Sequence, residues 1–380
     1  MKPKLMFYCQ HVLGMGHLVR SRELVKGLAG YDVCFVNGGE PIDGFAFPPA
    51  VEVVQLPPIA SDVEFKGINA TDAVREQRRE MLMNLFISKE PDVLMIEMFP
   101  FGRRKFAFEL LPVLEYNAAT GRRTRVVSSV RDILVSKRDQ DRHEDFACRL
   151  LNQFFDLVLV HSDQRFQRLE ESFHRTADIR IPVEYTGFVA EQPSPGARSR
   201  SQNGTPRVIA SIGGGRVGFE LLDATIAASK LLDRPHTLSV FTGPYHDDAQ
   251  MEKLRHNAAS ASWIEIERFA TNFVDLLASA DLSLSMGGYN TCMNIVAAGV
   301  RSLVFPFTGN GNEEQTIRAH KLENLGLLRV LTTADLDPLA LAVRMRTALD
   351  AAVPEKPMLD SNGVSNTARS LQQILEAAHV

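Results

Sequence analysis

Residues 281–326 read DLSLSMGGYNTCMNIVAAGVRSLVFPFTGNGNEEQTIRAHKLENLG and join two apolar strands to two loops. The first strand, 281–286, runs into Gly287 and Gly288, and the residues after them have the pattern of a helix. A glycine pair between a strand and a helix exposes backbone N–H groups, and the helix dipole there favours an anion. The stretch therefore predicts a phosphate-binding turn, with a purely steric role for the glycines as the alternative.

The second strand of this stretch, 302–307, is followed by the polar loop 308–315. In open α/β sheets ligands bind at the carboxyl ends of strands, where this loop would lie. Glu314 and Gln315 in the loop can hydrogen-bond to hydroxyl groups. A phosphate site beside a polyol site indicates a nucleotide sugar as the ligand.

The composition is that of a soluble protein large enough for two domains. The 380 residues are 45% hydrophobic and 23% charged, with a net charge of −4, which argues against a dedicated nucleic-acid binder. The four cysteines are far apart and form no CxxC, so we expect buried thiols in a reducing compartment. No apolar run approaches the length of a membrane-spanning helix, and the cytoplasm is the predicted location.

Strand-like runs alternate with helical periods along the whole chain, which predicts an α/β protein with parallel sheets. Residues 191–206 are rich in Pro, Gly, Ser and Arg and are predicted to be a linker. They separate an N-terminal domain, 1–190, from a C-terminal domain, 207–362. Because each half opens with a strand, a glycine loop and a helix, we predict two Rossmann-like domains that face each other across a cleft.

The first glycine loop, GMGHLVRS at 14–21, is a candidate acceptor or phosphate loop. Gly14 and Gly16 allow a tight turn and close approach of a ligand. His17 at the helix start can take a proton at neutral pH, and Arg20 lies one turn further on. The alternative is a histidine that only caps the helix. The loop is not GxGxxG, so a nicotinamide dinucleotide site is not predicted.

The second glycine loop, SIGGGRVG at 211–218, follows the first strand of the C-terminal half. Three glycines, Gly213, Gly214 and Gly215, can cradle a phosphate, and Arg216 could neutralise it. The P-loop pattern GxxxxGK[ST] is absent, which excludes a P-loop NTPase on motif grounds. The two DxD sequences in the chain look like helix starts, so no metal site is predicted.

The segment FPFGRRKFAF at 99–108 mixes basic and aromatic residues. Such a segment can touch an anionic membrane surface, here through Phe101, Arg103, Arg104 and Lys105. The alternative is an ordinary loop that leads into a helix facing the core.

With these motifs together, the chain resembles the GT-B glycosyltransferases. It is most similar to family 28, which contains the lipid-intermediate N-acetylglucosaminyl transferase of peptidoglycan synthesis, and to related bacterial glycosyltransferases. The resemblance covers most of the chain at the level of the fold and is specific at 14–21, 211–218 and 285–315. It implies that the second domain binds the nucleotide sugar and the first binds the acceptor. It also implies that the last helix, 363–380, crosses back to the first domain.

The resemblance also implies roles for individual donor-binding residues. Glu314 and Gln315 would hold the sugar hydroxyls, and Phe269 would lie beside the base. Asn294 stands where the family has an acid that accepts the ribose hydroxyls, so it lacks the expected charge. The residues implied to surround the diphosphate are Gly287, Gly288, Asn290 and Thr291.

The function predicted from the sequence is an inverting, metal-independent glycosyltransferase with no cofactor other than its donor. The donor would be a nucleoside diphosphate sugar, with uridine as the expected base, and the acceptor a small molecule, glycan or lipid. His17 would deprotonate or orient the acceptor hydroxyl. GxGHxxR also resembles the loop of a nucleotide-sugar hydrolase of nonulosonic acid synthesis, which gives hydrolysis as the alternative. A catalytically silent nucleotide-sugar-binding protein is the third reading, supported by Asn294.

Overall fold

The computed structural model describes residues 1–11, 15–42, 44–59, 70–135, 139–197, 204–309, 313–355 and 358–377. The chain forms two compact units. Unit 1 contains Met1–Val189 and Leu359–Val380, and unit 2 contains Ala190–Met358.

Seven strands of the described part of unit 1 form one parallel sheet in the order β3-β2-β1-β4-β5-β6-β7. Helices connect these strands, as right-handed crossovers between parallel strands require. The elements are β1 (Lys4–Cys9), α1 (Gly16–Lys26), β2 (Asp32–Asn37), β3 (Glu52–Gln55), α2 (Asp72–Lys89), β4 (Val93–Glu97), α3 (Ala107–Ala119), β5 (Arg125–Arg131), α4 (Gln140–Phe154), β6 (Leu157–His161) and β7 (Val183–Tyr185).

Six strands of the described part of unit 2 form a second parallel sheet in the order β10-β9-β8-β11-β12-β13. Its elements are β8 (Arg207–Ser211), α5 (Phe219–Ser229), β9 (Thr237–Phe241), α6 (Asp248–Ala258), β10 (Ile264–Glu267), α7 (Phe273–Ser279), β11 (Leu282–Met286), α8 (Tyr289–Ala298), β12 (Ser302–Phe305), α9 (Glu314–Asn324), β13 (Arg329–Val330) and α10 (Pro338–Asp350).

The central strands are apolar along almost their whole length because helices cover both faces of each sheet. In unit 1 one apolar cluster includes Met6, Leu94 and Val126, and a second includes Phe7, Met95 and Val127. Neighbouring residues of a strand thus point into opposite layers, as the two-residue period requires. A three-layer α/β arrangement follows directly from these continuous apolar runs.

The last helix, α11 (Gly363–Glu376), packs with unit 1. The segment before it hydrogen-bonds to the chain after β7, since the amide of Phe188 donates to the Asp360 carbonyl at 2.7 Å. A Cβ on Gly187 would lie 2.6 Å from the Asp360 side chain, so the two segments touch closely. Gly187 follows β7 with φ +82°, a left-handed conformation that glycine adopts readily.

Each sheet has one point where the strand order reverses, and such a switch point is where open α/β sheets bind ligands. In unit 1 the switch lies between β1 and β4, so α1 and the loop after β4 diverge there. In unit 2 it lies between β8 and β11, which are the strands that precede the two glycine loops. The topology therefore marks one candidate ligand site in each unit.

None of the described helices combines the length and the apolar character needed to cross a bilayer. The proposed membrane contact of the segment 99–108 is wrong for Phe101. Its side chain is 2% exposed and packs edge-on against Phe173, with ring centroids 5.0 Å apart. Phe106 is also buried, and of the three basic residues Arg104 and Lys105 are exposed while Arg103 is partly buried. The aromatic residues here belong to the core because the segment leads into α3, whose inner face is apolar.

Candidate functional site

The site in unit 1 is built around Glu97, a fully buried carboxylate at the end of β4. Its Oε1 accepts hydrogen bonds from His17 Nδ1 at 2.6 Å and from Arg20 Nη2 at 2.5 Å. His17 and Arg20 lie one turn apart on α1, so both side chains reach the same strand end. The switch point of the sheet thus brings together the predicted histidine and an acid.

The hydrogen bond from His17 to Glu97 fixes the tautomer of the imidazole. A carboxylate can only accept, so the proton lies on Nδ1 and Nε2 keeps its lone pair. The His17 side chain is 17% exposed, and no described residue hydrogen-bonds to Nε2. Burial lowers the pKa of His17 to about 3, helped by the charges of Arg103 and Arg131 and opposed by Glu97. The imidazole is therefore neutral at pH 7 and can accept a proton through Nε2.

Glu97 is ionised despite its burial. Burial raises the pKa of this carboxyl group, but its interaction with His17 and the charges of Arg20 and Arg103 outweigh that effect and lower the pKa to about 2. An acid at the end of an otherwise apolar strand is the sequence signal that could have identified Glu97, because an ionised carboxylate is seldom buried without a partner.

The structure corrects the role predicted for Arg20. Its side chain is 1% exposed and pairs with the Glu97 carboxylate, so it holds Glu97 in place and does not reach a ligand. Gly16 begins α1 and is exposed, whereas Gly14 lies outside the described residues. The half-buried guanidinium group beside His17 belongs to Arg103, from the segment that the sequence assigned to a membrane surface.

In unit 2 the glycine loop after β8 lies directly against the loop after β9. The amide of Tyr245 donates to the Gly214 carbonyl at 3.0 Å, and a Cβ on Gly215 would lie 2.4 Å from the Thr242 carbonyl oxygen. A Cβ on Gly243 would lie 2.2 Å from the Gly213 carbonyl oxygen. Because Gly215 and Gly243 also have positive φ, both loops depend on glycine for their shape.

Arg216 is exposed at the end of this loop, with its guanidinium carbon 4.8 Å from the centroid of the Tyr245 ring. His246 supports the same loop from inside, since its Nδ1 lies 3.1 Å from the Gly215 carbonyl oxygen. Arg268 in turn donates to the His246 carbonyl at 2.9 Å. The cation that the sequence predicted for phosphate neutralisation is thus held on a braced loop at the switch point.

The glycine pair between β11 and α8, Gly287 and Gly288, lies against the start of α9. A Cβ on Gly287 would be 3.1 Å from the Gln315 carbonyl oxygen, and Gln315 Oε1 accepts from the Phe307 amide at 3.1 Å. Arg318, which is fully buried, donates to the Gly287 carbonyl at 3.1 Å and to Glu314 Oε1 at 2.7 Å. Glu314 and Gln315 are therefore brought to the glycine pair, as the sequence predicted.

Arg318 is a residue of this site that the sequence analysis missed. Its position four residues after Glu314 on one helix is the signal that could have found it. Glu314 is only 6% exposed, and one of its oxygens is held by this arginine. Any hydrogen bond from Glu314 to a sugar would therefore depend on the orientation that its ion pair with Arg318 imposes.

The other predicted donor residues lie around the same strand ends. Gly288 is the N-cap of α8. The first two turns of this helix carry three partly exposed polar residues, Asn290, Thr291 and Asn294. Phe269 follows β10 and is 42% exposed. These residues and the two glycine loops lie at one edge of the sheet, the edge formed by the carboxyl ends of its strands.

Comparison with known proteins agrees with this geometry. Residues 209–374 match the model of the glycosyltransferase family 28 C-terminal domain. Among solved structures, the calicheamicin glycosyltransferase CalG4 aligns over 100% of this chain and 99% of its own, with a TM-score of 0.63 and 18% identity. MurG from Acinetobacter baumannii aligns over 99% of both chains, with a TM-score of 0.56 and 15% identity.

The chain has the GT-B fold. Its resemblance to family 28 is confirmed by the domain match and by a curated relative from Acidithiobacillus ferrooxidans. That relative is a UDP-N-acetylglucosamine–N-acetylmuramyl-(pentapeptide) pyrophosphoryl-undecaprenol N-acetylglucosamine transferase, 28% identical over 159 residues. The match covers 41% of this chain and 43% of the relative, so it spans less than half of each protein. The family match covers residues 209–374, and the solved structures show the fold of the whole chain.

Proposed function

We propose that this GT-B protein transfers a sugar from a nucleoside diphosphate sugar to an acceptor hydroxyl, with inversion at the anomeric carbon. The observation that carries the proposal is the 2.6 Å hydrogen bond from His17 Nδ1 to Glu97, which leaves Nε2 as a proton acceptor. The acceptor oxygen attacks the anomeric carbon, the bond to the diphosphate breaks, and the acceptor proton moves to Nε2. A single in-line displacement of this kind inverts the anomeric configuration.

Glu97 stabilises the charge that develops during this step. As His17 takes the proton, the imidazolium ion is paired with a carboxylate that is already ionised and oriented. The geometry resembles the histidine base and its orienting acid in the Ser-His-Asp triad, where the acid itself keeps its charge.

Unit 2 is proposed to bind the donor. The diphosphate would lie at Gly287 and Gly288, where the start of α8 offers backbone N–H groups and a partial positive charge. Arg216 would neutralise part of the remaining charge, which supports a metal-independent reaction. Glu314 and Gln315 would hydrogen-bond to the sugar, and Phe269 would lie by the base. Uridine is proposed because the curated relative uses a UDP-sugar, as its name states.

The close contact of the two loops predicts the result of a matched pair of glycine substitutions. Gly243→Ala adds a Cβ 2.2 Å from the Gly213 carbonyl oxygen at a residue with φ +83°. Gly326→Ala adds a Cβ at φ +74° with no atom within 4 Å, so it introduces backbone strain alone.

We expect Gly326→Ala to lower the free energy of unfolding by about 1–2 kcal/mol and to leave UDP affinity unchanged. Gly243→Ala should weaken UDP binding at least about tenfold, measured by calorimetry; equal affinities would show that loop packing does not shape the donor site.

The proposed function is tested with a panel of nucleotide sugars. The protein is incubated with each one, first alone and then with a pool of hydroxyl acceptors, and free nucleoside diphosphate is measured. We expect binding with slow release in the absence of acceptor and fast release when an acceptor is added. Fast release of free sugar without acceptor would establish a hydrolase instead. Binding of a nucleotide sugar with no release under either condition would establish a binding protein.

A further inference from the structure

The charged groups around Glu97 in unit 1 form a buried floor and an accessible rim. The floor consists of Glu97 and Arg20, whose side chains are 0% exposed and whose charges offset each other. The rim consists of His17, Arg103 and Arg131, which are all partly exposed. With His17 neutral, the charges that the described rim presents to a ligand are the two guanidinium groups.

Arg103 has the unusual features of this rim. Its backbone is left-handed, with φ 57°, a conformation that is unfavourable for a residue with a long side chain. Its Nε is buried without a hydrogen-bond partner, and no described carboxylate lies within ion-pair distance of its guanidinium group. Burial lowers the pKa of Arg103. Both backbone strain and an uncompensated cation therefore fall on one residue next to His17.

Glu97 does not act as the ion-pair partner of Arg103. The Oε1 of Glu97 is shared by His17 and Arg20, whereas its buried Oε2 has no hydrogen-bond partner among the described residues. A purely structural counter-ion would be expected to bind that second oxygen, because leaving both groups unpaired costs free energy. Strain and unpaired charge of this kind persist where a ligand makes use of them.

We propose that Arg103 binds an anionic group of the acceptor next to His17. A guanidinium fork recognises a phosphate or a carboxylate through two parallel hydrogen bonds, and both are strengthened in a half-buried site. That the anion belongs to an acceptor rests on the proposed function, whereas the presence of an anion site does not. The acceptor class is thus a hydroxyl compound that carries a phosphate or a carboxylate close to the hydroxyl that reacts.

The test measures binding of inorganic phosphate and of acetate to the full chain, by ³¹P and ¹³C NMR titration with saturating UDP present to occupy the donor site. The variant is Arg103→Asn, because asparagine tolerates the left-handed backbone. The matched control is Arg104→Asn: Arg104 is the next residue, is exposed and stacks on Phe146 with its guanidinium carbon 4.8 Å from the ring centroid. If Arg103→Asn does not fold, Arg103→Lys replaces it in the test. Lysine keeps the positive charge but lacks the planar guanidinium group that makes two parallel hydrogen bonds.

We expect Arg103→Asn to weaken the preferred anion at least about tenfold, Arg103→Lys to weaken it less, and Arg104→Asn to leave it unchanged. The anion that binds more tightly, phosphate or acetate, identifies the anionic group of the ligand. The Tm of Arg103→Asn should equal or exceed that of the wild type, since an unpaired buried cation is removed. The proposal is overturned if neither anion binds, if both arginine variants weaken binding equally, or if Arg103→Asn lowers Tm and leaves anion binding unchanged.

This result is independent of the proposed function. Anion binding is measured without a sugar donor and without turnover, and His17→Gln should retain it. If the anion site is present but no nucleotide sugar reacts with any acceptor, the proposed function fails and the anion site stands. If transfer occurs to neutral acceptors and Arg103→Asn has no effect on KM, the anion site fails and the proposed function stands.

Discussion

The His17→Ala variant is expected to lose roughly 10²- to 10⁴-fold in turnover number, because it removes the proposed general base. UDP binding should be unchanged, since the proposed donor residues are all in unit 2. Steady-state kinetics with a fixed acceptor and calorimetry with UDP measure the two effects. A loss of less than about tenfold in a folded variant would contradict the role of His17 as the base.

The pH dependence of the wild-type enzyme gives a second readout of the same role. A base must be unprotonated to act, and the pKa of His17 is lowered to about 3. We therefore expect kcat/KM to stay flat from pH 8 down to about pH 5 and to fall only as pH approaches that lowered pKa. A fall centred near the ordinary histidine pKa of about 6.5 would show that His17 titrates as an exposed imidazole.

Folding must be checked at each pH of this profile. The unfolded chain takes up a proton on His17 below about pH 6.5, whereas the folded protein does so only near its lowered pKa. The unfolded state thus binds more protons between these values, and the free energy of unfolding declines as pH falls through that range. Circular dichroism at each pH separates this loss of folded protein from a loss of catalysis.

The Glu97→Gln variant is expected to show the second large effect, a loss of roughly 10²-fold or more in kcat. The amide cannot stabilise the imidazolium ion by charge, and its NH₂ group can face Nδ1 and favour the tautomer with the proton on Nε2. The same change removes the carboxylate charge that pairs with the buried guanidinium group of Arg20, which should lower the free energy of unfolding by about 3–5 kcal/mol. Kinetics below the unfolding transition and chemical denaturation measure these two changes.

Glu109→Gln is the matched control for Glu97→Gln. Glu109 is also fully buried in unit 1 and pairs with a buried arginine, Arg78, at 2.6 Å, but it does not contact His17. Its substitution should destabilise the protein to a similar extent while the folded fraction keeps most of its turnover. If both variants lose kcat equally, the effect of Glu97→Gln is a general consequence of instability, and its role beside His17 is contradicted.

The proposed donor half of the site has a local sequence pattern because its residues are close together along the chain. The strand, glycine pair, helix, strand and acid–amide pair all fall within 281–326, and each has a local pattern. Arg318 has only a weak local signal, its position four residues after Glu314, and its role is clear only once its burial and its bond to the Gly287 carbonyl are known.

The segment 99–108 shows where local patterns mislead. Alternating basic and aromatic residues are compatible with a membrane surface, but the sequence cannot tell which of them point inward. The packing of α3 and the end of β4 buries Phe101 and Phe106 and brings Arg103 toward Glu97. Burial is a property of the assembled layers, so a cation that looks like a surface charge can lie beside His17.

The sequence by itself determined the two α/β halves, the glycine loops and His17, because apolar periodicity and glycine turns are encoded within about 20 neighbouring residues. Only the tertiary structure decided what His17 contacts. Glu97 is 80 residues away along the chain, and Arg103 lies just after it. They meet His17 because parallel strands β1 and β4 are neighbours at the point where the strand order reverses. That long-range pairing helps to bury the histidine, orients its proton and sets a guanidinium group beside it.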